Sequence, residues 1–262
     1  MLGSYRIVDL SVAIEHDSPS EPMPAEIRYI AHDGEGRDQM KLFFGVSEAD
    51  LVWSGGQGWA IEELHAITHT GTHVDAPYHY GATSGGRPAK RIDDVPLEWC
   101  LAPGVVLDMR HKAAGEFITV EDLEQALQKI DHTLQPLDIV LIQTGADARL
   151  GSPDYFRQPG LGREGVLWLC EQGVKVIGID AYTLDRPFAD MVADYKRTGD
   201  GRYIWPAHFA GLEREYCQIE KLRGLDELPP TGFLVSCLPV KIAGASAGWC
   251  RAVALVPKNE SA

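Results

Sequence analysis

A chain of 262 residues, 45% hydrophobic and 24% charged, has the composition of an ordinary globular protein and enough apolar material for one substantial core. Its formal net charge of −14 disfavours nucleic-acid and anionic-membrane binding, which need basic surface, and neither is expected. Five cysteines, Cys100, Cys170, Cys217, Cys237 and Cys250, are widely spaced, odd in number and without a Cys-x-x-Cys pair; free buried thiols in a reducing compartment are expected, not a disulfide framework or a cysteine-rich zinc site.

The first fourteen residues carry Asp9 and no long apolar run, which argues against a secretory signal. No apolar run approaches a membrane span, and a cytoplasmic location is expected. Residues 5–14 read as a strand. Residues 17–40, rich in Pro, Gly and charge, read as an extended excursion. Residues 59–68 read as a strand leading into a histidine-rich window at 69–79. A loop at 81–88, a helical turn within 93–99 and a short apolar strand at 104–109 follow.

The clearest helix is 119–130. Thr119 can cap it with Asp122 as acidic partner, and Val120, Leu123, Leu127 and Ile130 repeat at helical spacing. Residues 138–143 and 174–179 are buried-type strands, with a helix at 162–172 between them that Gly173 stops. Strands at 233–239 and 251–256 close the chain. Strands alternate with helices, yet several neighbouring strands lack a helix between them. That predicts α/β architecture with a mixed sheet. No repeat or linker interrupts the chain, so a single domain over 1–262 is expected.

The window reads His-Thr-Gly-Thr-His-Val-Asp-Ala-Pro-Tyr-His and holds three of the nine histidines. A helix is disfavoured: Thr70, Gly71, Thr72 and Val74 are poor helix formers, and Pro77 restricts Ala76 to extended conformations. On a strand, His73 and Asp75 point to one face. Gly71 can supply a turn that swings His69 back towards them, and Pro77 stiffens the exit before His79. Any one of these residues alone is ordinary surface, core or turn chemistry. Together they match the imidazole and carboxylate ligands that a divalent metal prefers.

The window matches His-x-Gly-Thr-His-x-Asp-x-Pro-x-His at every specified position. It resembles the signature of the cyclase-like metal-dependent hydrolases, which include bacterial kynurenine formamidases and isatin hydrolases. The resemblance extends over most of the chain, through Ile7-Val8-Asp9-Leu10-Ser11, the segment 136–145, and Gly178-Ile179-Asp180. It implies a swivelling β/β/α-type fold. It also implies a first metal on His69, His73 and Asp75, and a second on Asp75, His208 and Glu220, with Asp75 bridging. His79 would be the general acid or base. The resemblance implies zinc, with manganese the alternative, and one or two ions per chain. It further implies a homodimer or homotetramer. Two features depart from the formamidase pattern: Thr183 stands where a serine is usual, with Tyr182 before it, and extra residues lie near 30–58 and 188–206.

The chemistry expected is metal-assisted attack of water on a carbonyl, with no catalytic serine or cysteine. The substrate is expected to be a small molecule whose amide C–N bond is cleaved, an aryl formamide or a cyclic amide. A lactone or other ester, or a cyclisation, is the alternative within the family. A metal-binding protein without turnover is the alternative of another class. Glu220 alone reads as a solvated helix charge, and Asp180 and Asp185 as turn caps. Trp53, Trp59, Tyr80, Tyr182 and Trp205 are candidates for a flat pocket wall.

Overall fold

The computed structural model describes residues 2–258. Nine strands build the main sheet: β1 (Tyr5–Asp9), β2 (His73–Asp75), β3 (Leu101–Asp108), β4 (Ile139–Gln143), β5 (Val176–Ile179), β6 (Cys217–Glu220), β7 (Phe233–Ser236), β8 (Ala247–Trp249) and β9 (Val253–Pro257). Their order is β1-β9-β7-β3-β4-β5-β6-β2-β8. The centre, β3 to β6, is parallel; both flanks are antiparallel. Parallel neighbours need crossovers. Those crossovers run through α3 (Val120–Lys129) and α4 (Arg163–Glu171), and, between β5 and β6, α5 (Phe188–Thr198) and α6 (Pro206–Ala210). Two further helices are α1 (Glu35–Phe44) and the short α2 (Pro77–Tyr80). The result is a curled mixed sheet with helices, the α/β class that the sequence pattern indicates.

Side-chain alternation divides the core in two. Val105, Leu107, Val140, Ile142, Ile177 and Ile179 face α3 and α4, where Leu123, Leu127, Val166 and Leu169 cover them. Val106, Ile139, Leu141, Val176 and Ile219 face the other way and pack with Val8, Leu10, Val235 and Ala254 from the flanks. Thr119 caps α3 as its sequence indicates: its hydroxyl accepts from Asp122 N, and the Asp122 carboxylate accepts from Thr119 N.

Two expectations are corrected. The 17–40 excursion is not wholly extended: Glu26–Ile30 pairs with Ile61–His65 as a two-stranded antiparallel β-ribbon, and α1 starts at Glu35. Pro77 does not stiffen an extended exit. It is the first residue of α2, where its fixed φ and missing N–H suit a helix start, and that helix carries His79. Of the expected features of the cysteines, all five are free, and all but the half-buried Cys170 are buried.

Candidate metal centre

Short β2 lies between β6 and β8, antiparallel to both. Its register sets His73 opposite Glu220 and Asp75 opposite Gln218. The extended reading of the window therefore holds for His73 and Asp75, which share one face. Gly71, at φ +64°, makes the turn that returns His69 to that face. The α2 helix then presents His79, and α6 presents His208. These two helices approach closely because Gly211 carries no Cβ; one there would lie 2.1 Å from the Tyr80 ring.

The side chains converge in two triads that share Asp75. In each triad the ligand-type atoms lie within 4.8 Å of one another: His69, His73 and Asp75 in one, Asp75, His79 and His208 in the other. His69 Nδ1 is 2.8 Å and His73 Nε2 is 3.2 Å from Asp75 Oδ1, and His208 Nε2 is 3.9 Å from Asp75 Oδ2. Glu220 stands at the edge, 3.8 Å from His73 Nε2 and 3.6 Å from His208 Nε2, with Oε1 accepting from Leu184 N. It is on strand β6 and 6% exposed, so it is not a solvated helix charge.

Each of three imidazoles is held from outside by one ring nitrogen. His69 Nε2 meets Ser246 Oγ at 3.1 Å, His73 Nδ1 meets the Gly71 carbonyl at 2.8 Å, and His208 Nδ1 meets Asp185 Oδ2 at 2.5 Å. The other nitrogen of each faces the centre. Asp185 also accepts from Ala207 N, which corrects its reading as a turn cap: it fixes the start of α6 and orients His208. A histidine held at one nitrogen by a carbonyl or carboxylate is the common support of a metal ligand.

Three buried atoms at the centre, His73 Nε2 and both carboxylate oxygens of Asp75, have no hydrogen-bond partner. His69 and His73 stand close to Asp75, but without the angles of a hydrogen bond. Leaving buried carboxylate oxygens unsatisfied is costly, and a cation placed among them removes that cost. Electrostatics agree. Burial raises a carboxyl pKa, yet the surrounding imidazoles of His79, His73 and His69 hold Asp75 well below the usual range. Burial and the Asp75 charge push Glu220 up. Burial depresses His73 and His208, but neighbouring carboxylates outweigh it and raise both. Burial, reinforced by the other imidazoles, lowers His79 to about 4, so its ring is neutral near pH 7. The donor set of three imidazoles and two carboxylates fits a divalent cation.

A cavity of about 260 Å³ opens beside the cluster. Pro22, Met23, Ile67, Tyr182, Phe188 and Trp205 wall it, and His69, His79, His208 and Glu220 line its polar side. Of the flat residues expected there, Tyr182 and Trp205 are present. Trp53 is fully exposed, Trp59 packs on Phe43 and Phe44, and Tyr80 is buried against Tyr216. Trp205 stacks on His208, with ring centroids 4.0 Å apart.

A curled mixed sheet carrying a buried histidine–carboxylate cluster at its strand ends defines a class, α/β proteins whose buried site is suited to a divalent cation. Comparison with known proteins narrows it. The family description "Putative cyclase" matches residues 8–186, and the chain belongs to this Cyclase family. Isatin hydrolase of Roseibium aggregatum is 27% identical over 267 residues, covering 98% of this chain and 94% of that protein. Kynurenine formamidase of Erythrobacter litoralis is 32% identical over 188 residues, covering 71% and 72%. The structure of isatin hydrolase A from Labrenzia aggregata bound to benzyl benzoate matches with a TM-score of 0.75 at 24% identity, covering 98% of this chain and 95% of that one, a likeness of fold. Both curated relatives are hydrolases by name, and this chain is a hydrolase of the same family. The match to the family description ends before His208 and Glu220, whose placement comes from the structure.

Proposed function

We propose that the protein hydrolyses a non-peptide C–N bond, in an aryl formamide or a cyclic amide, with a divalent metal held by His69, His73 and Asp75. The observation that carries this reading is the set of unpartnered buried atoms on His73 and Asp75, with Asp75 Oδ1 beside His69 and His73 and Asp75 Oδ2 towards His208. Zinc is the ion proposed first and manganese the alternative. Asp75, His208 and Glu220 are proposed for a second position, where His79 also lies with Asp75 and His208, and Glu220 stands 3.6 Å from His208 Nε2.

A bound divalent ion would supply a water of pKa about 7 and polarise a carbonyl. The chain does the rest. Neutral His79, 4.1 Å from the His69 ring and lining the cavity, accepts a proton from water as its oxygen adds to the carbonyl carbon. The same imidazolium returns that proton to the departing nitrogen as the C–N bond breaks, leaving a carboxylic acid and an amine. The aromatic walls exclude water and receive a flat group. Trp205 Nε1 and Thr183 Oγ1 are buried without partners and offer donors to a substrate acceptor. At about 260 Å³ the cavity is below the ~300–1,000 Å³ of typical ligand sites, which favours a small, compact substrate.

The test is activity on N-formylkynurenine and isatin before metal removal, after it, and after return of zinc or manganese. The reading expects loss on removal and recovery on return with at least one of the two. Turnover of either compound at an undiminished rate by fully metal-free protein sinks it.

We also propose that the protein is a homodimer or homotetramer. The β-ribbon, α1 and the turn after it leave Tyr29, Leu42, Phe43, Phe44, Val52 and Trp53 exposed, more apolar surface than an isolated excursion normally shows to water. The free thiols support a reducing, cytoplasmic setting. No helix among the described residues is long and apolar enough to cross a membrane.

A further inference from the structure

Lys221 follows Glu220 directly and lines the same cavity. Consecutive residues of a strand point to opposite faces. Lys221 escapes that rule because its backbone is left-handed, at φ +59°, a conformation unusual for a residue with a long side chain. The twist sends its ammonium group to the cavity side, where the residue is only 3% exposed. A buried ammonium group persists only when paired.

Its partners are specific. Lys221 Nζ donates to a carboxylate oxygen of Glu21 and, at 2.8 Å, to the backbone carbonyl of His69. The other oxygen of Glu21 accepts from Gly71 N at 2.8 Å. The ion pair therefore grips the turn that carries His69 at two points, one on each side of Thr70. A third bond reinforces the grip: Thr72 Oγ1 donates to the Lys221 carbonyl at 2.6 Å. Glu21 belongs to a segment far from the cluster in sequence. Its neighbours Pro22 and Met23 form part of the cavity wall, and Ser20 Oγ accepts from Gly151 N at 2.7 Å.

We propose that Glu21 and Lys221 are positioning residues that couple the 18–23 segment to the cation site through the His69 turn. The inference rests on the reading that the cluster binds a divalent ion. With the pair intact, the turn is fixed and His69 is aimed at Asp75. With Lys221 changed, the turn loses its anchor on the His69 carbonyl and Glu21 loses the cation that holds it against Gly71 N; with Glu21 changed, the segment loses its buried ionic attachment. Coupling is reciprocal. An ion that pulls His69 into place also holds Glu21, and with it the Pro22–Met23 wall. Metal loading thus completes the substrate cavity as well as the metal site.

The experiment is hydrogen exchange over peptides spanning residues 17–25 and 69–72, with and without zinc, alongside the zinc dissociation constant by chelator competition. It is run on the wild type, Lys221→Met and Glu21→Gln. Lys221→Met removes the charge and keeps most of the stem; Glu21→Gln is the milder change, usable if the first variant folds poorly. The wild type is expected to show zinc-induced slowing in both peptides. Both variants are expected to lose the slowing in 17–25 and to bind zinc roughly 10-fold or more weakly, as for other groups that support a ligand without touching the ion. Wild-type zinc affinity in both variants, or slowing in 17–25 that persists in them, overturns the coupling and leaves the proposed function standing. Absence of zinc binding by the wild type overturns both.

Discussion

The three imidazoles that His69, His73 and His208 contribute each spend one nitrogen on the scaffold and keep the other for the centre. Asp185 is the most consequential of these supports, since it also accepts from the first turn of α6. Asp185→Asn is expected to weaken metal binding roughly 10–100-fold, the usual cost of losing such a support. Chelator competition measures this, and affinity equal to wild type would show that His208 needs no carboxylate behind it. The first triad was legible in sequence because its members sit within seven residues of one another and Gly71 and Pro77 frame them. The supports were not. Asp185 lies 23 residues from His208, Ser246 lies 177 from His69, and Glu21 lies 200 from Lys221. Only the folded sheet brings them together, and a lone Asp, Ser or Glu carries no local mark of its partner. Thr183 and Trp205 were visible as residue types, but their unpaired polar atoms belong to the cavity, not to the sequence.

Among the elements, β4 and β5 were legible as short continuous apolar runs, α3 by its helical period and cap, and α4 by the Gly173 that stops it. α1 was not: Leu42, Phe43 and Phe44 are consecutive and exposed, and Gly36 interrupts the first turn, so no stripe forms. α5 buries only Met191 fully, which leaves the same faint pattern. A joint between elements also yields a pH prediction. Asp180, just beyond β5, accepts from Thr144 N, Thr144 Oγ1 and Gly145 N, just beyond β4. Burial nonetheless outweighs these donors and raises its carboxyl from 3.8 to about 6. The folded state then binds more protons than the unfolded state between those values, and the sign of linkage follows. This group's contribution is greatest below about pH 4 and declines as pH rises through about 6. Denaturant titrations at pH 4 to 7 should show the wild type losing stability relative to Asp180→Asn across that window. A difference that is flat, or that grows in favour of the wild type with pH, would show that the three donors win over burial.

At the scale of the molecule, a strongly acidic chain concentrates buried negative charge at one place, where Asp75, Glu220 and Asp185 meet. Protons on His73 and His208 can offset part of it, but a divalent cation does so more completely and satisfies the unpartnered oxygens of Asp75. Opposite that site in character, the exposed apolar surface of α1 and the β-ribbon calls for a cover. Multi-angle light scattering is expected to give a multiple of the 28.8 kDa chain mass, and Trp53→Asp together with Phe43→Asp is expected to shift it towards the monomer. A wild-type monomer at micromolar concentration removes the oligomer proposal without touching the site. The site itself is tested most directly by elemental analysis of the purified protein after reconstitution at neutral pH, wild type beside Asp75→Asn. The account predicts one or two divalent ions per wild-type chain and their loss in the variant, since Asp75 is common to both triads. No bound ion in the wild type, or full retention in Asp75→Asn, would contradict it.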